Sequence, residues 1–360
     1  MYFMKPRIKI TPTKKSRLDK LDFNHIPFGH VFSDHMFVCD YKNGKWRNPR
    51  VVPYSKISFA PSLAALHYGQ SFFEGMKATK LQDGTPVLLR TEMHSKRINA
   101  SAHRMSMPEF PKDLFQEALH TLVGLDADWI PTKPGDALYI RPFMFATDEY
   151  VGVRPSNTYK FIIFTNPVSL YYNKPIRLWA EEKYSRAANG GTGEAKCAGN
   201  YGGAYYPTAL AQKNGYDQVM WLDPNEHKYV QEVGTMNLMF VIDGKIVTPN
   251  LDGSILHGIT RDSLIQVFKK QGYTVEERPI SVDEIFEAHK KGTLQEAFGC
   301  GTAAVITPVQ SITYRNSEIT IPIVKNGISE SAKKFINDLR NGNVEDTFGW
   351  LEPVKVMELV

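Results

Sequence analysis

The sequence predicts a mixed α/β protein with two domains. Its 360 residues are more than twice the roughly 150 residues of a typical domain. Hydrophobic residues make up 42% and charged residues 22%, which is typical of globular chains and excludes a wholly disordered, collagen-like or coiled-coil protein. Strand and helix patterns follow one another irregularly, without the strict βαβ order of a parallel barrel.

Turn residues and periodicity locate the individual elements. The dipeptides Asn43-Gly44, Asp83-Gly84 and Asp243-Gly244 accept positive φ and predict hairpins with type I′ turns. Further strands are predicted over residues 138–146, 160–165, 176–181, 218–222, 228–230 and 239–242. Apolar residues at helical spacing predict helices over residues 91–105, 112–129, 201–214, 261–271, 281–290 and 329–339.

The domain boundaries follow from charge and from breaks in the pattern. Seven of the 43 Lys and Arg residues but only one acidic residue, Asp19, lie within the first twenty positions, so most of the net charge of +5 belongs to this segment. We expect a basic, solvated arm over 1–20, a small α/β domain over 21–170, an interdomain loop over 171–183 and a large α/β domain over 184–360. The arm leaves open a remote alternative, a non-enzymatic binding protein that contacts nucleic acid.

The cysteines and the hydropathy pattern indicate the compartment. Cys39, Cys197 and Cys300 are odd in number and far apart, which predicts a reducing environment. Neither a membrane span nor a signal peptide is expected, so the interpretation is a soluble cytoplasmic protein without membrane or nucleic-acid partners. The ten histidines show no ligand-like spacing, and no metal site is expected.

A lysine projects from a segment rich in small residues. Residues 190–203 contain glycines and alanines around Lys196, and such a bare backbone allows close approach of a flat ligand. A lysine in a crowded, partly apolar site can lose its proton and act as a nucleophile. The alternative is a flexible surface loop with a solvated lysine. A dinucleotide-binding loop is disfavoured because Lys196 stands where the third glycine of that motif belongs.

Three further segments complement this lysine. Glu232 stands beside a Gly-Thr turn, where a carboxylate is suited to hold a ring nitrogen. Residues 256–261 open a predicted helix whose free N–H groups favour an anion. Residues 298–304 form another glycine-rich turn able to offer N–H donors. Together these parts suit pyridoxal phosphate, which binds proteins through a lysine Schiff base and a partner for its pyridine nitrogen.

With these motifs the sequence resembles the branched-chain amino acid aminotransferases, which are pyridoxal-phosphate enzymes of fold type IV, class IV. The resemblance runs from about residue 28 to the C-terminus. Its motifs, in the family's order, are Phe28 to Met36; Phe73-Glu74-Gly75-Met76-Lys77; Tyr139-Ile140-Arg141-Pro142; Lys196 to Gly202; Glu232-Val233-Gly234-Thr235-Met236-Asn237; and Gly299-Cys300-Gly301-Thr302-Ala303. The resemblance implies a two-domain architecture with the cofactor at the domain interface.

The resemblance also implies the roles of the cofactor-binding residues. Lys196 would form the Schiff base and shuttle a proton, Tyr201 would bond the cofactor's phenolic oxygen, and Glu232 would hold its pyridine nitrogen. The remaining cofactor contacts would be Arg97, Arg186, Thr235, Ile259, Thr260 and Thr302, with Arg97 on the phosphate.

Substrate-binding residues are implied in the same way. Phe28, Tyr68, Phe73, Tyr139 and Val153 would line the side-chain pocket, with Val153 contributed by the partner subunit of a homodimer. Arg141, Thr235 and Ala303 would bind the substrate carboxylates. For each aromatic residue the alternative is ordinary core packing. The redox CxxC pair of vertebrate members is replaced by Ala304 and Thr307, so that thiol switch is expected to be absent.

The sequence therefore predicts reversible transfer of the amino group of leucine, isoleucine or valine to 2-oxoglutarate. Branched-chain amino acids, glutamate and the 2-oxo acids are the expected small-molecule partners. The main alternative is a D-amino acid aminotransferase or an aminodeoxychorismate lyase of the same fold.

Overall fold

The computed structural model describes residues 8–27, 29–169, 174–303 and 305–357. Its backbone divides into two compact units, the first over Met1–Tyr171 with Asn337–Val360 and the second over Tyr172–Ile336. The strands are β1 Lys9–Ile10, β2 His35–Lys42, β3 Lys45–Pro53, β4 Ser71–Phe73, β5 Met76–Lys80, β6 Pro86–Leu89, β7 Ala137–Ala146, β8 Tyr159–Val168, β9 Ile176–Ala180, β10 Gln218–Leu222, β11 Val230–Val233, β12 Met236–Ile242, β13 Lys245–Thr248, β14 Val275–Glu277, β15 Leu294–Gly301, β16 Val305–Tyr314, β17 Ser317–Thr320 and β18 Leu351–Pro353. The α-helices are α1 Ala64–Tyr68, α2 Thr91–Arg104, α3 Lys112–Leu125, α4 Ala198–Lys213, α5 Ile259–Lys270, α6 Val282–Lys290 and α7 Ile328–Arg340.

The first unit is built on one mixed sheet with the order β1-β3-β2-β8-β7-β5-β6-β18, and β4 also pairs with β7. Antiparallel pairing of β7 with β8 runs over the full length of both strands. The amphipathic helix α3 buries the apolar stripe that contains Leu114, Phe115 and Ala118. Phe115 contacts Phe161 of β8 edge to face, so the helix packs on the centre of the sheet.

The second unit has its own sheet, ordered β11-β10-β9-β16-β15-β12-β13-β14, with β17 on β16. Its two faces carry separate apolar clusters. Ile285 of α6 belongs to the cluster that contains Phe240, whereas Leu264 of α5 and Ile336 of α7 belong to the cluster that contains Phe298. Helices therefore cover both faces, and the strands between them are buried almost throughout.

Most predicted elements are confirmed within a few residues. The predicted helix over 112–129 ends at Leu125 and continues as a short 3₁₀ segment over Ala127–Trp129. The helix predicted from residue 201 begins at Ala198, so Tyr201 lies in its first turn. The strand predicted over 228–230 is displaced along the chain: β11 runs from Val230 to Val233, so Glu232 lies within the strand and not after it.

Two of the three predicted hairpins have the predicted type I′ turn. Asn43 and Asp243 have φ of 54° and 49°, and the glycine after each is also positive, as a type I′ turn requires. The third hairpin exists between β5 and β6, but Asp83 does not adopt positive φ. Its carboxylate accepts the N–H of Thr85 instead, which stabilises a different turn type.

The described part of the first twenty residues corrects the prediction of a solvated arm. Ile8 is buried, and β1 pairs in parallel with β3. The backbone N–H of Thr13 donates to Nε2 of His35, while Ser16 and the N–H of Arg17 donate to the buried Asp34. Residues 8–20 therefore belong to the first unit because long-range pairs hold them there, which a count of local charges does not reveal.

Two domain boundaries also differ from the predictions. The segment 171–183, expected to be an interdomain loop, contains β9, whose Ile176 and Leu178 are fully buried between β10 and β16. The C-terminal residues from 337 onward, expected in the large domain, group with the first unit. Their strand β18 pairs with β6, and Trp350 accepts the N–H of Arg90. None of the helices over the described ranges is long and apolar enough to cross a membrane.

Candidate active site

Lys196 lies two residues before α4, in the second unit. Cys197 caps this helix in an extended conformation, and Tyr201 follows in the first turn. The Nζ atom of Lys196 donates a hydrogen bond to the hydroxyl oxygen of Tyr201 at 3.0 Å. The lysine is half-buried, whereas Ala195 and Cys197 on either side are buried. The lysine therefore projects from a fixed backbone, and the structure does not support the alternative of a solvated lysine on a flexible loop.

Asn200 fixes the loop that leads to this lysine. Its Nδ2 donates to the carbonyl oxygens of Thr192 and Ala195, at 2.7 and 2.9 Å, and its Oδ1 accepts from the hydroxyl of Thr192 at 2.7 Å. Gly193 packs directly against residue 254, since a Cβ at this glycine would lie 2.1 Å from the Ser254 carbonyl oxygen. The absence of a side chain at Gly193 therefore allows this close packing.

Glu232 is a buried carboxylate in β11 whose two oxygens both have polar neighbours. Its Oε2 lies 2.9 Å from Nε of Arg186, and its Oε1 accepts hydrogen bonds from Asn237 Nδ2 and from the N–H of Leu256, both at 3.1 Å. Arg186 also donates through Nη2 to the carbonyl oxygen of Ser254 at 2.6 Å. A buried charge requires partners of this kind, so the carboxylate is held in one position.

A cavity of about 360 Å³, its open mouth included, lies beside these groups. Four residues predicted to bind cofactor line it, namely Arg186, Tyr201, Glu232 and Thr235. Gly193, Ala195, Asn200, Ala204, Gly234 and Leu256 complete the lining. Its mixture of apolar and convergent polar groups is that of a small-molecule site.

The remaining predicted residues of the second unit lie at two neighbouring turns. Ile259 and Thr260 form the first turn of α5, whose N-cap residue, Gly258, supplies no side chain. Thr302 and Ala303 form the turn after β15. Gly301 lies close to the 235–236 backbone, since a Cβ on it would approach the Thr235 carbonyl oxygen to 3.9 Å. Helix N-termini and turns of this kind offer N–H donors to an anion.

Three of the predicted substrate residues form a cluster within the first unit. The Arg141 guanidinium lies 4.5 Å from the ring centroid of Phe73 and 5.3 Å from that of Tyr139. Its Nη2 donates to the Tyr139 hydroxyl at 3.2 Å. The tyrosine packs over Gly75, where an added Cβ would lie 2.1 Å from its hydroxyl oxygen. One cationic group and two aromatic rings thus share a single surface.

Arg97, also in the first unit, forms a buried ion pair. Its Nε and Nη2 donate to the two carboxylate oxygens of Glu74 at 2.8 and 2.5 Å. Burial by itself raises the pKa of Glu74, but the charge of Arg97, together with His94, holds that pKa well below its usual range. The predicted contact of Arg97 with a phosphate stays a prediction.

The other predicted substrate residues are not brought into this cluster. Tyr68 and Val153 lie at the surface, 42% and 94% exposed, and Phe28 is outside the described residues. Sequence reasoning assigned no role to Asn200, Asn237, Leu256 or Glu74. Asn200, Asn237 and Glu74 stand inside the motifs named above, and this position was the signal that could have found them. Within the described ranges, no group of three or more His, Cys, Asp or Glu side chains is arranged to hold a metal ion.

Comparison with known proteins identifies the family of this chain. The model of the family described as amino-transferase class IV matches residues 71–312. Branched-chain-amino-acid aminotransferase 2 of Bacillus subtilis is 45% identical over 98% of this chain and 97% of its own length. A branched-chain-amino-acid aminotransferase of Mycolicibacterium smegmatis is 42% identical over 90% of this chain and 91% of its own.

Solved structures show the same likeness. The branched-chain amino acid aminotransferase from Escherichia coli superposes with a TM-score of 0.72 at 28% identity, over 90% of this chain and 99% of its own. A branched-chain amino acid aminotransferase from T.th., complexed with N-(5'-phosphopyridoxyl)-L-glutamate, gives 0.70 at 28% identity, over 87% and 97%. This chain is therefore a member of the class IV aminotransferases and, within them, of the branched-chain amino acid aminotransferase family.

Proposed function

We propose that this protein transfers the amino group of leucine, isoleucine or valine reversibly to 2-oxoglutarate, with pyridoxal phosphate as its cofactor. The observation that carries the proposal is the bond between Lys196 and Tyr201 beside a cavity that also exposes the partnered carboxylate of Glu232. Relatives over nearly the whole chain bear the name of this activity, which supports the substrate class.

The residues present fit this cofactor. The cavity lining supplies the phenol of Tyr201 and the carboxylate of Glu232, and the amine of Lys196 is bonded to that phenol. When bound, the cofactor supplies an aldehyde that reacts with a lysine amine, and a ring that withdraws electrons from the substrate's α-carbon.

The chain's own residues would perform the remaining tasks. Lys196 Nζ would take the proton from the substrate's α-carbon, and the Tyr201 hydroxyl, 3.0 Å away, would orient that amine. Glu232 would keep a proton on the ring nitrogen, while Arg186 balances the buried negative charge. Ile259, Thr260 and Thr302 would hold the phosphate through N–H and hydroxyl donors.

The cluster of the first unit supports recognition of both substrates. Phe73 and Tyr139 offer apolar ring surface for a branched aliphatic side chain, and Arg141 offers a cation for a carboxylate. One site with both properties would accept leucine and glutamate in alternate half-reactions. Arg97 would bind the phosphate, with Glu74 restraining its guanidinium.

The assembly would be a homodimer in which Val153 serves the partner's site. Val151 and Val153 are 66% and 94% exposed, and the neighbouring Tyr150 is 45% exposed, which is unusual for a run of apolar side chains unless a partner covers it. The three free cysteines are all buried, which supports a reducing compartment such as the cytoplasm.

Half-reactions with single amino acids test the proposal. The holoenzyme is mixed with L-leucine, L-glutamate or D-alanine, and both the cofactor's visible absorbance and the keto acid formed are measured. We expect the two L-amino acids to discharge the absorbance and yield their keto acids, while D-alanine has no effect. Reaction with D-alanine but with neither L-amino acid would identify a D-amino acid aminotransferase. Turnover of aminodeoxychorismate, supplied in a separate assay, would identify a lyase.

A further inference from the structure

Glu232 and Asn237 face each other across the β11–β12 hairpin. They are register partners in this antiparallel pair, so their side chains lie on the same face of the sheet. Both are almost fully buried, at 4% and 5% exposure. The amide Nδ2 of Asn237 donates to Oε1 of Glu232 at 3.1 Å. The two carboxylate oxygens of Glu232 therefore have different partners: Asn237 holds Oε1, and Nε of Arg186 lies near Oε2.

The same amide also restrains the segment that leads into α5. Nδ2 of Asn237 donates a second hydrogen bond to the carbonyl oxygen of Leu256 at 3.0 Å. The other amide atom, Oδ1, packs against Gly258, where an added Cβ would approach it to 1.8 Å. Gly258 is the N-cap of α5, and Ile259 is the first helical residue. One side chain thus contacts both a carboxylate and a helix start.

Asn237 is also close to the other turn of the site. Its register partner on β15 is Cys300, which is followed by Gly301 and Thr302. Three segments that the proposed function assigns to the cofactor therefore meet at this residue: the strand with Glu232, the start of α5 and the turn after β15.

We propose that Asn237 is a positioning residue that sets the distance between the carboxylate for the cofactor's ring nitrogen and the turn for its phosphate. This inference rests on the proposed function and deepens it. Asn237 acts through Glu232 and the 256–258 backbone, and does not touch the reacting atoms. An amide suits the task because its two N–H groups serve two acceptors, the Glu232 carboxylate and the Leu256 carbonyl.

Asn237→Asp is the sharpest variant because it keeps the shape of the side chain. It replaces both donors by acceptors and sets a second carboxylate against Glu232, which leaves buried acceptors unsatisfied and repels the charge. We expect the affinity of the stripped protein for pyridoxal phosphate to fall about tenfold or more. The pH dependence of the bound cofactor's absorbance should also shift. Asn214→Asp, at the exposed C-terminal end of α4, is the matched control for the added charge and should change neither quantity.

A double-mutant cycle distinguishes positioning from a general structural role. If Asn237 acts through Glu232, then Asn237→Asp should weaken cofactor binding much less in a Glu232→Ala background than in the wild type. Equal losses in both backgrounds would overturn the proposal. Thermal unfolding of the stripped variants checks folding, and Asn237→Ser replaces Asn237→Asp in the same cycle if the latter does not fold.

The outcomes separate this inference from the proposed function. A wild-type protein that binds no pyridoxal phosphate contradicts the proposed function itself. A wild type that binds the cofactor, with an Asn237→Asp variant of unchanged affinity and spectrum, leaves the function standing and contradicts the role of Asn237 alone.

Discussion

The side-chain nitrogen of Lys196 donates a hydrogen bond of 3.0 Å to the hydroxyl of Tyr201, five residues further along the chain. The lysine stands just before α4 and the tyrosine in its first turn. The start of one helix therefore fixes both groups relative to each other. The amine lies 5.6 Å from the centroid of the same tyrosine ring, so the ring restricts where the lysine can move.

Tyr201→Phe tests the contribution of this hydroxyl. A hydrogen bond contributes a net of roughly 0.5–1.5 kcal/mol, so kcat/KM for leucine should fall by up to about tenfold. Tyr205→Phe is the matched control, because Tyr205 lies on the same helix and is 72% exposed. Steady-state kinetics of the two variants compare them directly. Equal activity in both would contradict a role for the Tyr201 hydroxyl.

Glu74→Gln tests the buried ion pair with Arg97. Removing one partner of a buried pair strands the other charge, so the free energy of unfolding at pH 7 should fall by about 3–5 kcal/mol. Glu92→Gln is the control, since Glu92 pairs with Lys96 and Lys112 on the exposed side of α2, where solvent screens the charges, and the stability should hardly change. Urea unfolding measures both effects.

The effect of Glu74→Gln should also depend on pH in a fixed direction. The pKa of Glu74 is well below its ordinary value of 4.5 in the folded protein. Its contribution to stability is therefore complete above about pH 4.5 and is lost as the pH falls toward the lower folded-state pKa. The difference between wild type and variant should narrow on acidification. A difference that stays constant or widens would show that Glu74 is not held ionised by Arg97.

Cys39 and Cys300 should be unreactive in the native protein. Burial raises the pKa of each thiol to about 12, so almost none of the nucleophilic thiolate is present near neutral pH. Labelling with a disulfide reagent at pH 8, followed by mass spectrometry, should modify neither residue until denaturant is added. Rapid native labelling of Cys300 would instead indicate an accessible thiol close to the Gly301–Thr302 turn.

Local sequence signals predicted much of the fold. The Asn43-Gly44 turn and the apolar stripe of α3 each depend on patterns a few residues long, whereas Tyr201, which lines the cavity, was named from the resemblance. Interactions between distant residues could not be predicted in this way. Residues 8–20 are held on the first unit by hydrogen bonds to His35 and Asp34. The C-terminal strand β18 joins the sheet of the first unit through its pairing with β6.

The role of Asn237 illustrates why site contacts are harder to predict than motifs. Its position inside the motif was visible, but its contact with Leu256 spans 19 residues and exists only because the β11–β12 hairpin lies beside the start of α5. Likewise, the phosphate-binding role of Arg97 was implied by the resemblance, whereas its pairing with Glu74 follows from packing in the first unit.

The most direct test of the account is the visible absorbance of the purified protein loaded with pyridoxal phosphate, before and after Lys196→Ala. The wild type should show the absorbance of a lysine-bound cofactor and lose it on addition of L-leucine, with the keto acid formed in equal amount. Lys196→Ala should lack that lysine-bound absorbance and the turnover, while Lys213→Ala, at the exposed end of the same helix, should retain both. A Lys196→Ala variant with the wild-type spectrum and activity would contradict the assignment of this lysine and the mechanism built on it.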